Sequence, residues 1–195
     1  WDELSSSTLV AGMEPGGGSY AGIGGRPEPV GGPGQYQTIN ASGGTYGDAD
    51  ITHLLAGSGG GGGNERQGGG GGGAIKIVAT GTLTIGADIW ACGGRGGARW
   101  NEARRSGGSG SGGAIYLKGP NVIINAGVTI SANGGLPAKH SNGIIGNGNS
   151  YPSDGGGNGA ACGGGGRVYL EATTSLVNNA SSTNANLTAT GGTGT

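Results

Sequence analysis

The sequence predicts an all-β fold in which short stacked strands, solenoid- or sandwich-like, combine with packed polyglycine-II helices and almost no α-helix. Three observations carry this expectation. Glycine supplies 54 of the 195 residues, against an average usage of about 7%. Between the glycine runs, apolar and polar residues alternate with the period of two that marks half-buried strands. A single pattern of glycine run, β-type stretch, turn, β-type stretch and Gly-Gly also occurs three times, which is the signature of a repeat architecture.

Composition closes off other classes. Apolar residues are 32% of the chain and charged residues 11%, against about 45–50% and about 25% in ordinary domains. No stretch approaches the roughly 18 consecutive apolar residues of a membrane-spanning helix. Glycine costs about 1 kcal/mol against alanine inside a helix, which argues against a helical bundle. Runs such as Gly59–Gly63 and Gly68–Gly73 break the strict triplet that collagen needs. A formal charge of −1 gives no electrostatic reason to expect nucleic acid or an anionic membrane as partner. With so few large apolar side chains, two outcomes remain. One is disorder; the other is a fold whose glycine segments satisfy one another's backbone hydrogen bonds. Near-zero net charge and clear β-rich patches favour order.

The units can be taken in chain order. The first, Ala74–Gly94, reads AIKIVATGTLTIGADIWACGG; Ile75, Ile77, Leu83, Ile85 and Ile89 fall on one side, with Lys76, Thr82, Thr84 and Asp88 between them. The second, Ala114–Gly135, reads AIYLKGPNVIINAGVTISANGG and repeats the alternation at Ile115, Leu117, Val122, Ile124, Val128 and Ile130. The third, Arg167–Gly192, is RVYLEATTSLVNNASSTNANLTATGG. Gly81, Gly86, Gly119-Pro120 and Gly127 are expected to punctuate strands of about three to five residues. A glycine tract precedes each unit: Gly68–Gly73, GGSGSGG at 107–113, and GGGG at 163–166.

Two readings of the tracts are open. They are flexible linkers, or extended polyglycine with three residues per turn, whose outward N–H and C=O groups pair laterally with neighbouring tracts. Only glycine lets such backbones approach closely. The domain organisation follows: residues 1–45 form an irregular N-terminal segment with a candidate docking strand, and 46–195 form the glycine-rich β-repeat domain. Its units span about 68–94, 107–135 and 163–192, and the whole is expected to be one compact domain. Tyr36–Ile39 is a candidate strand, and Leu136–Asn158 reads as a surface loop of the kind that carries recognition.

The run GGGGGGAIKIVATGTLTIGADI, then GGSGSGGAIYLKGPNVIINAGVTISANGG, then GGGGRVYLEA resembles the glycine-rich repeat regions of large secreted or surface proteins of bacteria, often found beside lectin-like modules. It is also similar in kind to the glycine-rich ectodomain of the anaplastic lymphoma kinase receptor family and to glycine-rich phage tail-tip adhesins. The likeness covers roughly residues 46–192 and implies polyglycine-II packing and an extracellular or cell-surface scaffold, adhesin or binding module. It carries over no catalytic residue.

Candidate sites are few. Cys92 and Cys162 sit in matching contexts, WACGG and AACGG. They form one disulfide, which would contribute about 4 kcal/mol, or two buried thiols acting as small apolar residues. With no Cys-x-x-Cys and two histidines, a zinc site is not expected. Asp48 and Asp50, beside His53, share a face on an extended strand and would bind Ca²⁺ if backbone carbonyls supplied the remaining ligands; ordinary turn chemistry is the alternative. No other cofactor is expected. Arg95, Arg99, Arg104 and Arg105 lie close to Trp90 and Trp100, and arginine with tryptophan grips an anionic glycan or a carboxylate by paired hydrogen bonds and stacking. The alternative is a solvated loop with Glu102 as counter-ion. Asn40, Asn179 and Asn186 fit the N-glycosylation pattern. The glycine runs lack the Gly-Lys-Ser/Thr of a phosphate-binding loop.

The sequence is compatible with two functions. The first is a non-enzymatic extracellular structural protein, a surface scaffold, adhesin or self-assembling filament subunit, in which unprotected sheet edges invite head-to-tail association. The segment of Trp1, Leu4, Leu9 and Val10 would then be an arm that adds to a neighbour's sheet. The second is a carbohydrate- or surface-ligand-binding module using Trp90, Trp100, the arginine loop and the 136–158 loop. A β-helix lyase or hydrolase needs paired acids on one face, and the acids here are scattered singly.

Overall fold

A computed structural model describes residues 18–22, 24, 44–48, 51, 53–62, 67–97, 107–137, 161–180 and 186–192. Its elements are β1 (Ala74–Val78), β2 (Thr82–Ile85), β3 (Ile89–Trp90), β4 (Ala114–Ile124), β5 (Ile130–Ser131), β6 (Arg167–Asn178) and β7 (Leu187–Thr188). Among the described residues the fold is therefore mostly β without helix, and no helix is long and apolar enough to cross a membrane.

The three sequence units lie side by side as parallel rungs. β4 is central: β1 and then β2 pair one of its edges, and β6 pairs the other. A second sheet, β3-β5-β7, repeats that order. Equivalent positions meet across the rungs. Ile75, Ile115 and Val168 form one row, Ile77, Leu117 and Leu170 another, and Ile89, Ile130 and Leu187 a third. Parallel strands need long return connections, commonly helices; the described parts of those connections at residues 91–97, 107–113, 132–137 and 161–166 are glycine-bearing and lie outside any strand.

The period-two alternation sends one set of side chains inward. Ile85, Ala91, Ile115, Leu117, Ile124, Val128, Ile130 and Ala132 form the core, with Leu83, Ile89, Val168, Leu170 and Leu187 packed against it. The middle rung supplies the fully buried members. Ile77, expected to be inward, is substantially exposed on the first rung, because a row of three is covered on both sides only at its centre.

The expectation of uniformly short strands is corrected. β4 runs for 11 residues and β6 for 12, and β4 passes straight through Gly119-Pro120. Proline lacks the N–H a central strand requires. The register with β6 shifts between Gly119 and Asn121, so a bulge absorbs the proline and the strand continues. On the other edge the chain does break between β1 and β2. Gly127 has φ +80° and closes the turn in which the Val128 N–H donates to Asn125 O at 3.3 Å, a conformation that favours glycine.

Beside the strands run glycine-bearing segments outside any strand. Residues 107–113 are buried throughout, and all seven of their N–H groups are bonded. Gly107, Gly110 and Gly113 donate to Gly97, Gly94 and Ala91; Gly108 and Ser111 donate to Gly61 and Ser58; Ser109 and Gly112 donate to Ala161 and Gly164, all at 2.7–2.9 Å. Carbonyls of the same tract accept from Gly69 and Gly72, from Gly135, from Arg167 and from Gly18. Donors thus change direction with a period of three. A Cβ at Gly110 would overlap Gly70 O, and one at Gly112 would overlap Ala132 O. In residues 68–73 the period shows in exposure as well: Gly69 and Gly72 are buried, while Gly70 and Gly73 are exposed with nothing within 4 Å of a Cβ position.

Candidate functional site

The sheet face opposite the core carries a ladder of polar and aromatic side chains, placed there because alternate residues of the same strands point the other way. Lys76, Tyr116 and Tyr169 occupy one row across β1, β4 and β6. The two tyrosine rings stack, with centroids 5.2 Å apart and planes 6° from parallel, and Lys76 Nζ sits 4.9 Å from the Tyr116 centroid. In the row of Val78, Lys118 and Glu171, Lys118 Nζ lies 2.7 Å from Glu171 Oε1. Tyr116 Oη donates to Glu171 Oε2 at 2.9 Å. These two bonds hold the Glu171 carboxyl below its ordinary pKa, with Lys118 the larger cause. Reciprocally, the hydrogen bond to Glu171 raises both Lys118 and Tyr116.

At the start of the rungs an aromatic knot closes this face. Tyr20, Ile51 and Ala114 are buried together, with Leu54, Tyr116 and Tyr169 packed around them. The Arg167 guanidinium lies 4.8 Å from the Tyr20 ring centroid and donates to Tyr46 O at 3.0 Å. The Tyr20 and Tyr46 centroids are 4.9 Å apart. Tyr46 Oη donates to Ala56 O at 2.7 Å, and burial is the main cause that pushes its phenol up. Gly47 takes φ +79°, and any side chain there would press on Arg167 and Tyr20. Tyr20 Oη is buried and has no hydrogen-bond partner among the described residues. Ile51 adopts φ 52°, costly for a β-branched residue, and its burial against Tyr20 offsets that strain.

The two outer rungs present a different chemistry. At one end Ile77, Val78 and Trp90 are exposed, Val78 at 56% and Trp90 at 67%. At the other, Leu176 at 50% and Val177 are exposed along β6. Among the described residues, no strand pairs the outer edge of β1, β2 or β6. Among the described residues, the stack therefore ends on both sides in exposed apolar side chains and strand edges that no other strand pairs.

The residues singled out in the sequence fall as follows. Trp90 and Arg95 are both exposed. Arg99, Trp100, Arg104, Arg105 and Glu102 lie outside the described residues, as do Asp50, Asn40, the strand at Tyr36–Ile39 and the arm with Trp1, Leu4, Leu9 and Val10. Leu136 is exposed at the start of the 136–158 loop, which is described only to residue 137. Asp48 pairs with His53, Oδ2 to Nδ1 at 2.5 Å. No group of three or more metal-binding side chains occurs among the described residues.

The disulfide is a correction: Cys92 and Cys162 are not joined. Cys92 is exposed, with Sγ 3.2 Å from Ser131 Oγ, while Cys162 is buried. Matching sequence contexts put the two cysteines in different surroundings, one exposed and one buried. Asn186 is also engaged, its Nδ2 donating to Val128 O at 3.0 Å and its Oδ1 accepting from Asn178.

Sequence reasoning passed over the tyrosine ladder. The signal lay in aligned third positions of AIKIV, AIYLK and RVYLE, which read Lys, Tyr, Tyr. No family model, curated protein or solved structure matches this chain.

Proposed function

We propose that this chain is a non-enzymatic extracellular structural protein, a surface scaffold, adhesin or filament subunit built from stacked rungs and polyglycine-II helices. The observation that carries the reading is the pair of outer rungs, where apolar side chains lie exposed along strand edges that no strand among the described residues pairs. Soluble monomers usually blunt such edges with charge, proline or a covering element. The helical reading of the tracts is supported by the three-directional bonding of residues 107–113, since a three-residue turn points successive N–H groups about 120° apart. The extracellular placement rests on the resemblance of the repeats.

The test is sedimentation velocity and negative-stain imaging of the full chain across concentration. Elongated assemblies are expected; a monomer at every concentration would overturn the reading. Removing residues 1–10 asks separately whether that arm contributes. Amide exchange at 107–113 should be slow; exchange at free-peptide rates would remove the helical packing.

A second reading, a glycan-binding module, is favoured by the exposure of Trp90, because an indole face in solvent suits stacking on a sugar ring. Retention on a glycan column that is lost in Trp90→Ala, by a chain that stays monomeric, would support it over the first.

A further inference from the structure

The two open ends are not merely alike in being apolar; they continue the rung-to-rung pattern already present inside the chain. We infer that a second copy of this chain docks head to tail, β1 and β2 of one copy pairing in parallel with the outer edge of β6 of the next. The register is the one the internal rungs use. This inference rests on the structural reading above and names its interface.

The internal register fixes which positions would meet. β1 and β6 both align on β4, Lys76 and Tyr169 on Tyr116, and Thr84 and Val177 on Ile123. Adding a rung therefore sets Ile77 beside Leu170, Leu83 beside Leu176, and Ile89 beside Leu187. Each is an apolar pair in a row whose middle member, Leu117, Val122 or Ile130, is fully buried within one copy. On the opposite face Lys76 would come beside Tyr169 of the next copy, a second ring for the ammonium that already lies over Tyr116. Arg167 would meet Ala74 and Glu171 would meet Val78, so no position sets like charges opposite each other. Neighbouring strands are about 4.8 Å apart, close enough for all these pairs to touch. The contact joins two different surfaces, one from each end. It is heterologous and repeats without closing unless the rotation per copy returns to the start.

A charge pair placed at one matched position separates this register from association in general. Thr84 and Val177 are both exposed, and both neighbour the uncharged Ile123 within their own copy. The double variant Thr84→Lys/Val177→Lys sets like charges opposite each other across the junction, whereas Thr84→Glu/Val177→Lys sets opposite ones. Because Val177→Lys is common to both, any folding defect it causes appears in both, and circular dichroism checks their strand content. At low ionic strength, where charges are least screened, the Lys/Lys chain should lose the fast-sedimenting species and the Glu/Lys chain should keep it. If the two variants sediment alike, assembled or not, while the wild-type chain assembles, this register is wrong although self-association stands. If the wild-type chain never assembles, the structural reading itself fails along with it. A short thiol crosslinker gives a second readout in a Cys92→Ser background. Thr84→Cys mixed with Val177→Cys should yield the mixed dimer; homotypic dimers alone would overturn the head-to-tail arrangement.

Discussion

The middle rung and the outer rungs of this molecule are built from nearly the same local sequence and end in opposite environments. AIYLK in β4 buries Ile115 and Leu117 completely, whereas AIKIV in β1 leaves Ile77 and Val78 exposed. The glycine tracts repeat the contrast. Residues 107–113 are buried throughout, while in 68–73 only Gly69 and Gly72 are buried and a side chain at Gly70 or Gly73 would meet nothing within 4 Å. A rung or a tract is stabilised in proportion to how many neighbours it has, not by its own composition. Interior positions should therefore be intolerant of change and their edge equivalents tolerant.

The largest effect should separate two glycines. Gly112→Ala forces a methyl into Ala132 O and the Gly166 N–H, and overpacking against backbone that cannot yield costs about 3 kcal/mol. Gly70→Ala meets nothing within 4 Å, and should be neutral or stabilising by about 0.5 kcal/mol through loss of unfolded-state freedom. Denaturant midpoints of the two variants measure this directly, and equal destabilisation would break the contrast between tracts.

A gap of similar size is expected between matched core positions. Leu117→Ala leaves a cavity in the fully buried row and should cost about 2–5 kcal/mol. Ile77→Ala, at the paired position one rung away, should cost about 1 kcal/mol or less when the monomer is unfolded, since its side chain already meets solvent. Comparable losses at both positions would mean that the first rung is covered in solution.

The smallest effect is electrostatic and tests the outer face. Glu171 is held below its unfolded pKa by Lys118 and Tyr116, so its contribution is complete above the unfolded value and fades as pH falls through the folded one. Lys118 and Tyr116 are raised, so their share is complete below their unfolded values and fades as pH rises through the folded ones. Stability should show a broad neutral plateau with shallow shoulders on both sides, and Glu171→Gln should flatten both. The shoulders should shrink in salt, because the pair is partly exposed to solvent and screened.

Much of the framework is legible in the sequence. Aligning GGAI, GGAI and GGRV leads to the registers observed, Ala74 with Ala114 and Ala114 with Arg167, because glycine-to-strand transitions are local events. The inward rows follow from alternation alone. The continuity of β4 through Gly119-Pro120 does not, since a proline reads as a break unless a bulge in a neighbouring register is known to receive it. The knot of Tyr20, Tyr46 and Arg167 was equally hidden: its members lie far apart in the chain, and neither Tyr20 nor Tyr46 belongs to a repeat unit. The cysteines misled for the opposite reason, a shared local context at positions the fold surrounds differently and does not join.

The amino-acid order by itself determined where each rung starts and which side chains face inward, because strand alternation and glycine punctuation act over a few residues. Only the tertiary structure decided which rung is enclosed and where each glycine's N–H finds its acceptor. Successive glycines are chemically identical, so nothing in their order can distinguish one direction from another. The segments that surround them make that choice.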